Sequence, residues 1–320
     1  MSRFELAPRC IIRTMMSSAD PIARAFDSIE GSGAPQSDRA IRVCVVIITR
    51  DRVAKLSRVL DDVSTLVPAP TQIIVVDNAS TDETPQRLAN DKRVQLIRLN
   101  DNMGVESFNI GAAATTCECL LILDDDAAPE PESWSRAIKL LNEDASIDAI
   151  AFNPIHPETG ATEWPDAVRS CKRFNRMGCA NLIRTEVWKS SGGYLGAYFL
   201  YRNDTDLALT ILSAGGSIHF DPTLRALHDS PFTAKKSDRW LRLATRNWIW
   251  MGRRHGRGLW KLLGILAGVC RACMFAGVSA PRLGHVFGGV REALMTTPPM
   301  PRRKSDGLAW KSLITGRLGM

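Results

Sequence analysis

The stretch that decides the fold is Leu120-Leu121-Ile122-Leu123-Asp124-Asp125-Asp126-Ala127-Ala128-Pro129. Four consecutive apolar residues stop abruptly at three carboxylates, a pattern typical of a buried strand whose C-terminal end delivers acids to a crevice. Adjacent carboxylates repel one another unless a cation lies among them, and Mg²⁺ or Mn²⁺ prefers oxygen ligands. The triplet therefore indicates a metal site; the alternative is a solvated acidic turn that starts a helix at Pro129.

The chain before this stretch alternates short apolar runs with helical patterns. Residues 43–48, 72–76 and 94–99 predict strands, and an amphipathic pattern follows each of the first two. This alternation predicts an α/β fold with a mostly parallel central sheet covered on both faces. Because Thr49, Asp77 and the acidic triplet each follow a predicted strand, we expect them to meet at one edge of that sheet.

No glycine-rich phosphate loop follows the first predicted strand, where the sequence is Thr-Arg-Asp-Arg at 49–52. Dinucleotide-binding and P-loop enzymes need glycines at this position, so a dehydrogenase or a P-loop NTPase is disfavoured. Any phosphate must be held another way, and a metal together with arginine or lysine side chains is the available means.

Charge and cysteine usage narrow the class of protein. The 320 residues carry 41 Lys+Arg against 34 Asp+Glu, a net charge of +7 that suits an anionic partner. The eight cysteines are scattered, several within apolar runs, which indicates reduced, intracellular thiols rather than a disulfide framework. Neither 117/119 nor 270/273 lies among other ligands at zinc-ribbon spacing, so a zinc site is disfavoured.

A second acidic group, Asn203-Asp204-Thr205-Asp206, opens a predicted helix. An aspartate at such a position often caps the helix, so we expect one acid to cap it and the other to be a candidate general base. His228 follows the next predicted strand. A lone histidine is more often a packed or surface residue than a ligand.

The chain after Asp229 is basic and rich in tryptophan. Apolar and basic positions at helical spacing over 231–295 predict helices that lie at an anionic membrane surface, with packing against the domain as the alternative. The apolar run 262–270 stops at Arg271, well short of the roughly 20 residues that span a bilayer. We predict a poorly ordered arm over 1–40, a folded domain over 41–230 and a flexible tail over 296–320.

Four motifs in order resemble family 2 glycosyltransferases: residues 45–52, 75–82, 123–126 and 203–207. The resemblance covers roughly residues 41–260 and is most similar to bacterial enzymes that build rhamnose- or galactofuranose-containing envelope glycans. It implies a GT-A fold and inverting, metal-dependent transfer of a sugar from a nucleotide-diphosphate donor, such as a UDP- or dTDP-sugar, to a glycan or lipid-linked acceptor. It also implies a cytoplasmic enzyme, peripheral on the inner face of the cell membrane.

The resemblance also implies roles for individual residues. Asp204 becomes the catalytic base, with Asp206 in reserve because Asn203 stands where the family usually has the first of two acids. Asp126 becomes the direct ligand of Mg²⁺ or Mn²⁺, with His228 at the metal or diphosphate. The expected donor contacts are Thr49, Arg50, Arg52, Asp77, Asn78, Asp124 and Asp125. The expected acceptor side is Gly178, Cys179, Ala180, Asn181 and Asp206.

Three other functions compete with this interpretation. A sugar nucleotidyltransferase uses a related sheet and a metal but normally needs the glycine-rich loop that is missing here. A degenerate glycosyltransferase domain that serves as a membrane-bound assembly partner should have lost its acids, and only Asn203 favours it. Nucleic-acid binding by the basic C-terminal region is the least favoured, and no nucleic-acid partner is expected.

Overall fold

The computed structural model describes residues 41–230, 235–296 and 307–316. The arm predicted over 1–40 lies outside the described residues. Alternating strands and helices form the first part of the described chain, as the apolar runs predict. In chain order these are β1 (Val43–Thr49), α1 (Val53–Ser64), β2 (Gln72–Asp77), α2 (Thr84–Ala89), β3 (Gln95–Arg98), α3 (Glu106–Ala113) and β4 (Cys119–Asp124).

The middle of the chain completes the sheet. Its elements are β5 (Ala127–Pro129), α4 (Pro131–Glu143), β6 (Ala149–Ile155), β7 (Ala180–Arg184), α5 (Thr185–Ser191), α6 (Asn203–Ser213) and β8 (Ile218–His228). The eight described strands lie in the order β3-β2-β1-β4-β7-β6-β8-β5. Strands β3, β2, β1 and β4 are parallel, so their C-terminal ends lie at the same edge; β7 is antiparallel to both β4 and β6.

Both faces of the sheet are buried, which is why its strands read as continuous apolar runs. Val46 points to one face, where it joins the cluster around Phe108 of α3. Val45 points to the other, where it packs in the cluster around Leu60 of α1 and Trp134 of α4. The sheet is therefore a covered middle layer, and polar side chains concentrate at its ends.

Strand β5 is the element that the sequence analysis missed, and it displaces the predicted start of the following helix from Pro129 to Pro131. β5 pairs antiparallel with the end of β8, with Ala127 opposite His228. This pairing brings His228 next to the acidic triplet, although the two are far apart along the chain.

Helices α7 (Asp238–His255), α8 (Gly258–Ala276) and α9 (Ala280–Met295) follow the sheet. The prediction that the apolar run 262–270 is too short to span a bilayer counted only part of its helix. The whole helix has 19 residues. Among the described helices, α8 alone is long and apolar enough, by length and composition, to cross a membrane. Of its apolar 18-residue window, 17% is buried. Leu262, Leu263 and Leu266 are exposed on its surface.

The prediction of a flexible tail is wrong for its described part. Leu308–Thr315 form helix α10, and Trp310 within it is fully buried. The Trp310 indole packs on Trp248 at 5.4 Å between ring centroids and donates a hydrogen bond to the carbonyl of Trp260. A single large side chain thus anchors a segment whose prolines and charges suggested disorder.

Candidate active site

Three predicted site residues lie together at the C-terminal edge of the parallel strands. Thr49 and Asp77 are opposite one another at the ends of β1 and β2, and Asp124 ends β4 beside Ile48. Each follows a run of buried apolar residues, so the first polar side chain after the run emerges at the rim of the core. The sequence-based expectation that these residues share one edge is confirmed.

Arg52 and Thr49 contact the acidic triplet directly. The Arg52 guanidinium bridges two carboxylates, with Nη1 2.8 Å from Asp125 Oδ1 and Nη2 2.5 Å from Asp126 Oδ2. Thr49 donates a 2.7 Å hydrogen bond from Oγ1 to the other oxygen of Asp125. Lys55, which sequence reasoning did not single out, lies 3.6 Å from Asp126. Asp125 is therefore fully engaged by the protein.

Asp124, Asp126 and His228 form a candidate metal centre. One ligand atom from each lies within 4.8 Å of the others, the one such group found among the described residues. His228 Nε2 is 3.3 Å from Asp126 Oδ1. Two carboxylates and an imidazole suit Mg²⁺ or Mn²⁺, so this donor set fits a divalent cation of that kind.

The electrostatics of the triplet divide its members. Burial raises the pKa of Asp124 to about 8; the charge of His228 acts against this effect, and the charges of Asp126, Asp125 and Asp204 add to it. Burial also raises the pKa of Asp125, to about 6, against the attraction of Arg52. For Asp126, burial is outweighed by the hydrogen bond with His228 and the charge of Arg52, which lower its pKa to about 2. The surroundings of Asp126 thus favour its anionic form, whereas those of Asp124 favour its protonated form.

Glu163 is a site residue that sequence reasoning missed. Its Oε1 lies 2.5 Å from Nδ1 of His228, on the side of the ring away from Asp126. A carboxylate on the second ring nitrogen fixes the orientation of an imidazole whose first nitrogen binds a metal. Glu163 comes from the loop between β6 and β7, which carries no motif, so nothing in the sequence marks it.

Asp204, on the first turn of α6, is within electrostatic reach of the acidic triplet. Its charge contributes to the raised pKa of Asp124, and both carboxylates act on the buried Tyr194. Burial raises the pKa of Asp204 itself, against the hydrogen bond from the Thr205 amide and the charge of Arg202. A carboxylate with increased proton affinity at the edge of an acidic cleft is suited to take a proton.

Asp206 occupies a different environment from Asp204, although both are on the first turn of α6. Two residues along a helix lie roughly 200° apart, so the two side chains point in opposite directions. Asp206 is buried, accepts 3.0 Å and 2.9 Å hydrogen bonds from Tyr198 and Arg254, and lies 2.8 Å from His255 Nε2. It ties α6 to α7, and its carboxylate does not face the cleft as an acceptor contact would.

The predicted donor residues after β2 differ in how much of their side chain is committed. Asn78 donates to the carbonyl of Gly104 and accepts from the amide of Met103, so it holds the loop before α3. Asp77 accepts from the Ser80 amide through Oδ1, while its buried Oδ2 makes no hydrogen bond in the described part of the chain and lies 3.7 Å from Nε of Arg98. Arg50 is exposed. Among the described residues, its one ion pair is with its neighbour Asp51.

The predicted acceptor segment is mostly interior. Cys179, Ala180 and Asn181 are buried at the start of β7, and Asn181 exchanges hydrogen bonds with the backbone of Gly178. A side chain at Gly178 would meet the Trp164 ring at 3.0 Å. Gly178 is the most accessible of these four residues, and the other three belong to the interior.

Sequence comparisons identify related proteins. A family model described as "Glycosyl transferase family 2" matches residues 44–206, about half of the chain. An uncharacterized glycosyltransferase of Haemophilus influenzae is 25% identical over 107 residues, 33% of this chain and 36% of that protein. The uncharacterized glycosyltransferase YwdF of Bacillus subtilis is 28% identical over 127 residues, 39% of this chain and 47% of that protein. The alignments thus span less than half of either relative.

Solved structures share the fold at low sequence identity. The mannosyltransferase PcManGT from Pyrobaculum calidifontis, in complex with GDP-Man and Mn²⁺, has a TM-score of 0.56 at 19% identity, covering 88% of this chain and 81% of that one. S. aureus TarS 1-349 has a TM-score of 0.59 at 14% identity, covering 81% of each chain. These likenesses confirm the predicted GT-A fold.

Proposed function

Because the chain belongs to glycosyl transferase family 2, we propose that it transfers a sugar from a nucleotide-diphosphate donor to a hydroxyl group of a glycan or lipid-linked acceptor. One observation carries this proposal: Asp124, Asp126 and His228 converge within 4.8 Å, and Asp204 lies close enough to act on Asp124. A candidate cation site and a candidate base are thus within electrostatic reach of one another.

The donor would bind along the edge formed by β1, β2 and β4. Thr49 and Asp77 flank the nucleoside position, and the Oδ2 of Asp77, which makes no hydrogen bond in the described part of the chain and has a 3.7 Å ion pair with Arg98, supports contact with a base N–H. Asn78 acts through the loop that it holds. Arg50, Arg52 and Lys55 supply positive charge for the diphosphate. Solved neighbours hold GDP-Man or UDP-GlcNAc; for this chain we propose a UDP- or dTDP-sugar.

Asp126 and His228, with Asp124, would hold a Mg²⁺ or Mn²⁺ ion, and the neighbouring mannosyltransferase structure contains Mn²⁺. A bound divalent cation neutralises negative charge on a departing diphosphate. Glu163 keeps the His228 ring oriented through its contact with Nδ1. Arg52 bridges Asp125 and Asp126 on the other side, which limits mutual repulsion within the triplet.

Asp204 would accept the proton of the acceptor hydroxyl. As that oxygen bonds to the anomeric carbon, the bond from this carbon to the diphosphate oxygen breaks and the nucleoside diphosphate leaves with the electron pair. Attack on the face opposite the leaving group inverts the configuration. Gly178 borders the acceptor side, and we assign Asp206 to anchoring α6 rather than to acceptor contact.

We place the reaction at the cytoplasmic face of the cell membrane, in cell-envelope polysaccharide synthesis, with rhamnose- or galactofuranose-containing glycans as the products. The exposed apolar surface of α8 and the net charge of +7 support contact with an anionic membrane. A peripheral enzyme at that surface would meet a lipid-linked acceptor directly.

Calorimetry with a panel of nucleotide sugars, with and without Mn²⁺, tests the proposal. We expect at least one UDP- or dTDP-sugar to bind wild-type protein only when Mn²⁺ is present, and Asp126→Ala to lose that binding. Asp61→Ala, which removes a carboxylate from the exposed side of α1, is the matched control and should bind normally. Metal-dependent donor binding unchanged in Asp126→Ala would remove Asp126 from the metal site.

A further inference from the structure

A cavity of about 160 Å³ lies among α7, α8, α10 and the start of α6. Its wall combines two arginines with aromatic rings, and none of these side chains belongs to the metal centre. The lining residues that matter here are Arg202, Trp240, Trp248, Ala267, Arg271 and Phe275. A mixed cationic and aromatic lining suits a ligand that is both anionic and apolar.

The two arginines bring positive charge to this cavity. The Arg202 guanidinium lies 5.6 Å from the Trp240 ring and 5.2 Å from the Trp248 ring, and its buried Nε has no hydrogen-bond partner in the described part of the chain. Arg271 lies over Phe275 at 5.6 Å. Burial lowers the pKa of Arg202, and the charge of Arg271 adds to this effect against that of Asp204. An anion between the arginines would relieve that repulsion and complete the hydrogen bonding of Arg202.

Helix α8 supplies the apolar side of the same cavity. Ala267 lines the cavity and is itself exposed, so the cavity reaches the surface of α8. The neighbouring Leu263 and Leu266 are exposed on that surface, and the helix is long and apolar enough for a membrane. A hydrocarbon chain leaving the cavity here would pass onto an apolar helix rather than into water.

The cavity also shares a side chain, Arg202, with the surroundings of the proposed base. Arg202 immediately precedes α6 and acts electrostatically on Asp204, two residues later. A phosphate held by Arg202 would therefore place whatever is attached to it near the proposed base.

We propose that this cavity binds the phosphate of a lipid-linked acceptor, held by Arg202 and Arg271, with its hydrocarbon chain along α8 and its sugar directed toward Asp204. The inference rests on the proposed function, because it assigns the acceptor of that reaction. It names the acceptor class, an amphiphilic phosphate, and the side chains that recognise it.

Farnesyl phosphate, a short soluble lipid phosphate, is the probe for a binding test by calorimetry on the full-length protein. Arg271→Gln should raise its Kd roughly tenfold, the loss expected for a charge-assisted hydrogen bond. Arg291→Gln is the matched control, because it removes the same charge from an exposed position on α9, away from the cavity. Equal weakening by both variants would indicate a general charge effect and overturn the proposal.

The cavity itself is tested by filling it. Ala267→Phe should weaken farnesyl phosphate binding at least as much as Arg271→Gln, whereas Ala280→Phe, the same change at an exposed position of α9 that does not line the cavity, should leave it unchanged. Farnesol and inorganic phosphate should each bind more weakly than farnesyl phosphate. Inorganic phosphate binding as tightly would mean an ion site without a lipid component. Vesicles of phosphatidylglycerol that compete fully for the site would mean a membrane-lipid site; either result overturns the proposal.

Donor binding with Mn²⁺, measured in the same variants, separates this inference from the proposed function. All four variants should bind the nucleotide sugar like wild-type protein. The protein could bind the nucleotide sugar while its affinity for farnesyl phosphate stays the same in Arg271→Gln and in Ala267→Phe. That result would overturn the lipid site and keep the proposed function. Farnesyl phosphate binding that responds to these variants, in a protein that binds no nucleotide sugar, would overturn the proposed function and keep the lipid site.

Discussion

At the scale of single residues, the two acids of the first turn of α6 separate chemistry from stability. Asp204 is beside the acidic triplet, where its charge acts on Asp124. Asp206 is buried in contact with Tyr198, Arg254 and His255. The two acids thus lie on opposite sides of the same helix. A substitution of Asp204 should reduce sugar transfer, whereas a substitution of Asp206 should reduce stability.

Asp204→Asn should retain Mn²⁺-dependent donor binding while transfer falls roughly 10²- to 10⁴-fold, because the amide keeps the shape of the side chain but cannot accept a proton. Donor affinity by calorimetry and transfer by release of nucleoside diphosphate check the two halves separately. A variant that transfers sugar at the wild-type rate would show that another group is the base.

Asp206→Asn should destabilise the fold instead, by roughly 3–5 kcal/mol at neutral pH, because it breaks a buried ion pair with Arg254. The contacts with His255, Arg254 and Tyr198 outweigh burial and lower the pKa of Asp206 below its usual 3.8. The folded state therefore holds this proton less tightly than the unfolded state does. The stabilisation is complete above pH 3.8 and is lost as pH falls through the lower, folded-state pKa.

The stability difference between wild-type protein and Asp206→Asn, measured by urea unfolding, should accordingly narrow as pH falls below about 4. Asp204→Asn is the control for this measurement, because Asp204 takes no part in the ion pair between Asp206 and Arg254. A difference that stayed constant down to pH 2 would mean that the ion pair contributes nothing to stability.

At the scale of elements, α10 is held by one side chain. Trp310 is fully buried, and it contacts Trp248 of α7 and the backbone of Trp260 in α8. Its ring also fills the space that glycines leave: a side chain at Gly264 would lie 2.5 Å from the indole. The prolines and charges before α10 led to the prediction of a flexible tail, because composition indicates how polar a segment is and not which of its side chains is buried.

Trp310→Ala should lower the free energy of unfolding by about 3–5 kcal/mol, the usual cost of truncating a buried tryptophan. Leu308→Ala, at an exposed position of the same helix, is the matched control and should change stability little. Urea unfolding monitored by far-UV circular dichroism measures both. Equal stability of the two variants would mean that α10 does not pack as described.

At the scale of the whole molecule, positive charge and an apolar helix occur in one chain. We expect the net charge of +7 to attract an anionic surface at long range and the exposed apolar residues of α8 to contact lipid at short range. Neither feature alone holds a protein firmly to a membrane, so their combination should respond to salt and to the loss of apolar surface.

We expect the protein to cosediment with phosphatidylglycerol vesicles more than with phosphatidylcholine vesicles, and less in high salt. Replacing both Leu262 and Leu266 with glutamine should reduce cosedimentation, because it removes exposed apolar surface from α8. Replacing Val67, an exposed apolar residue that follows α1, with glutamine is the control. Vesicle binding insensitive to the α8 substitutions would mean that another surface meets the membrane.

The sequence by itself determined the strands β1, β2 and β4 and the polar residues that end them. A run of β-branched and apolar residues defines a strand locally, and the first polar residue after it must lie at an edge of the core. Thr49, Asp77 and the acidic triplet were predictable for that reason. The family of the protein was recognisable from the order of such local motifs.

Only the tertiary structure decided which distant residues join them. His228 reaches the acids because β8 runs on to pair with β5, an element too short to predict, and Glu163 arrives from a loop without a motif. Which of Asp204 and Asp206 faces the acids, and the burial of Trp310, likewise depend on what packs against each helix. Such contacts join residues far apart in the chain, so local propensity carries no information about them.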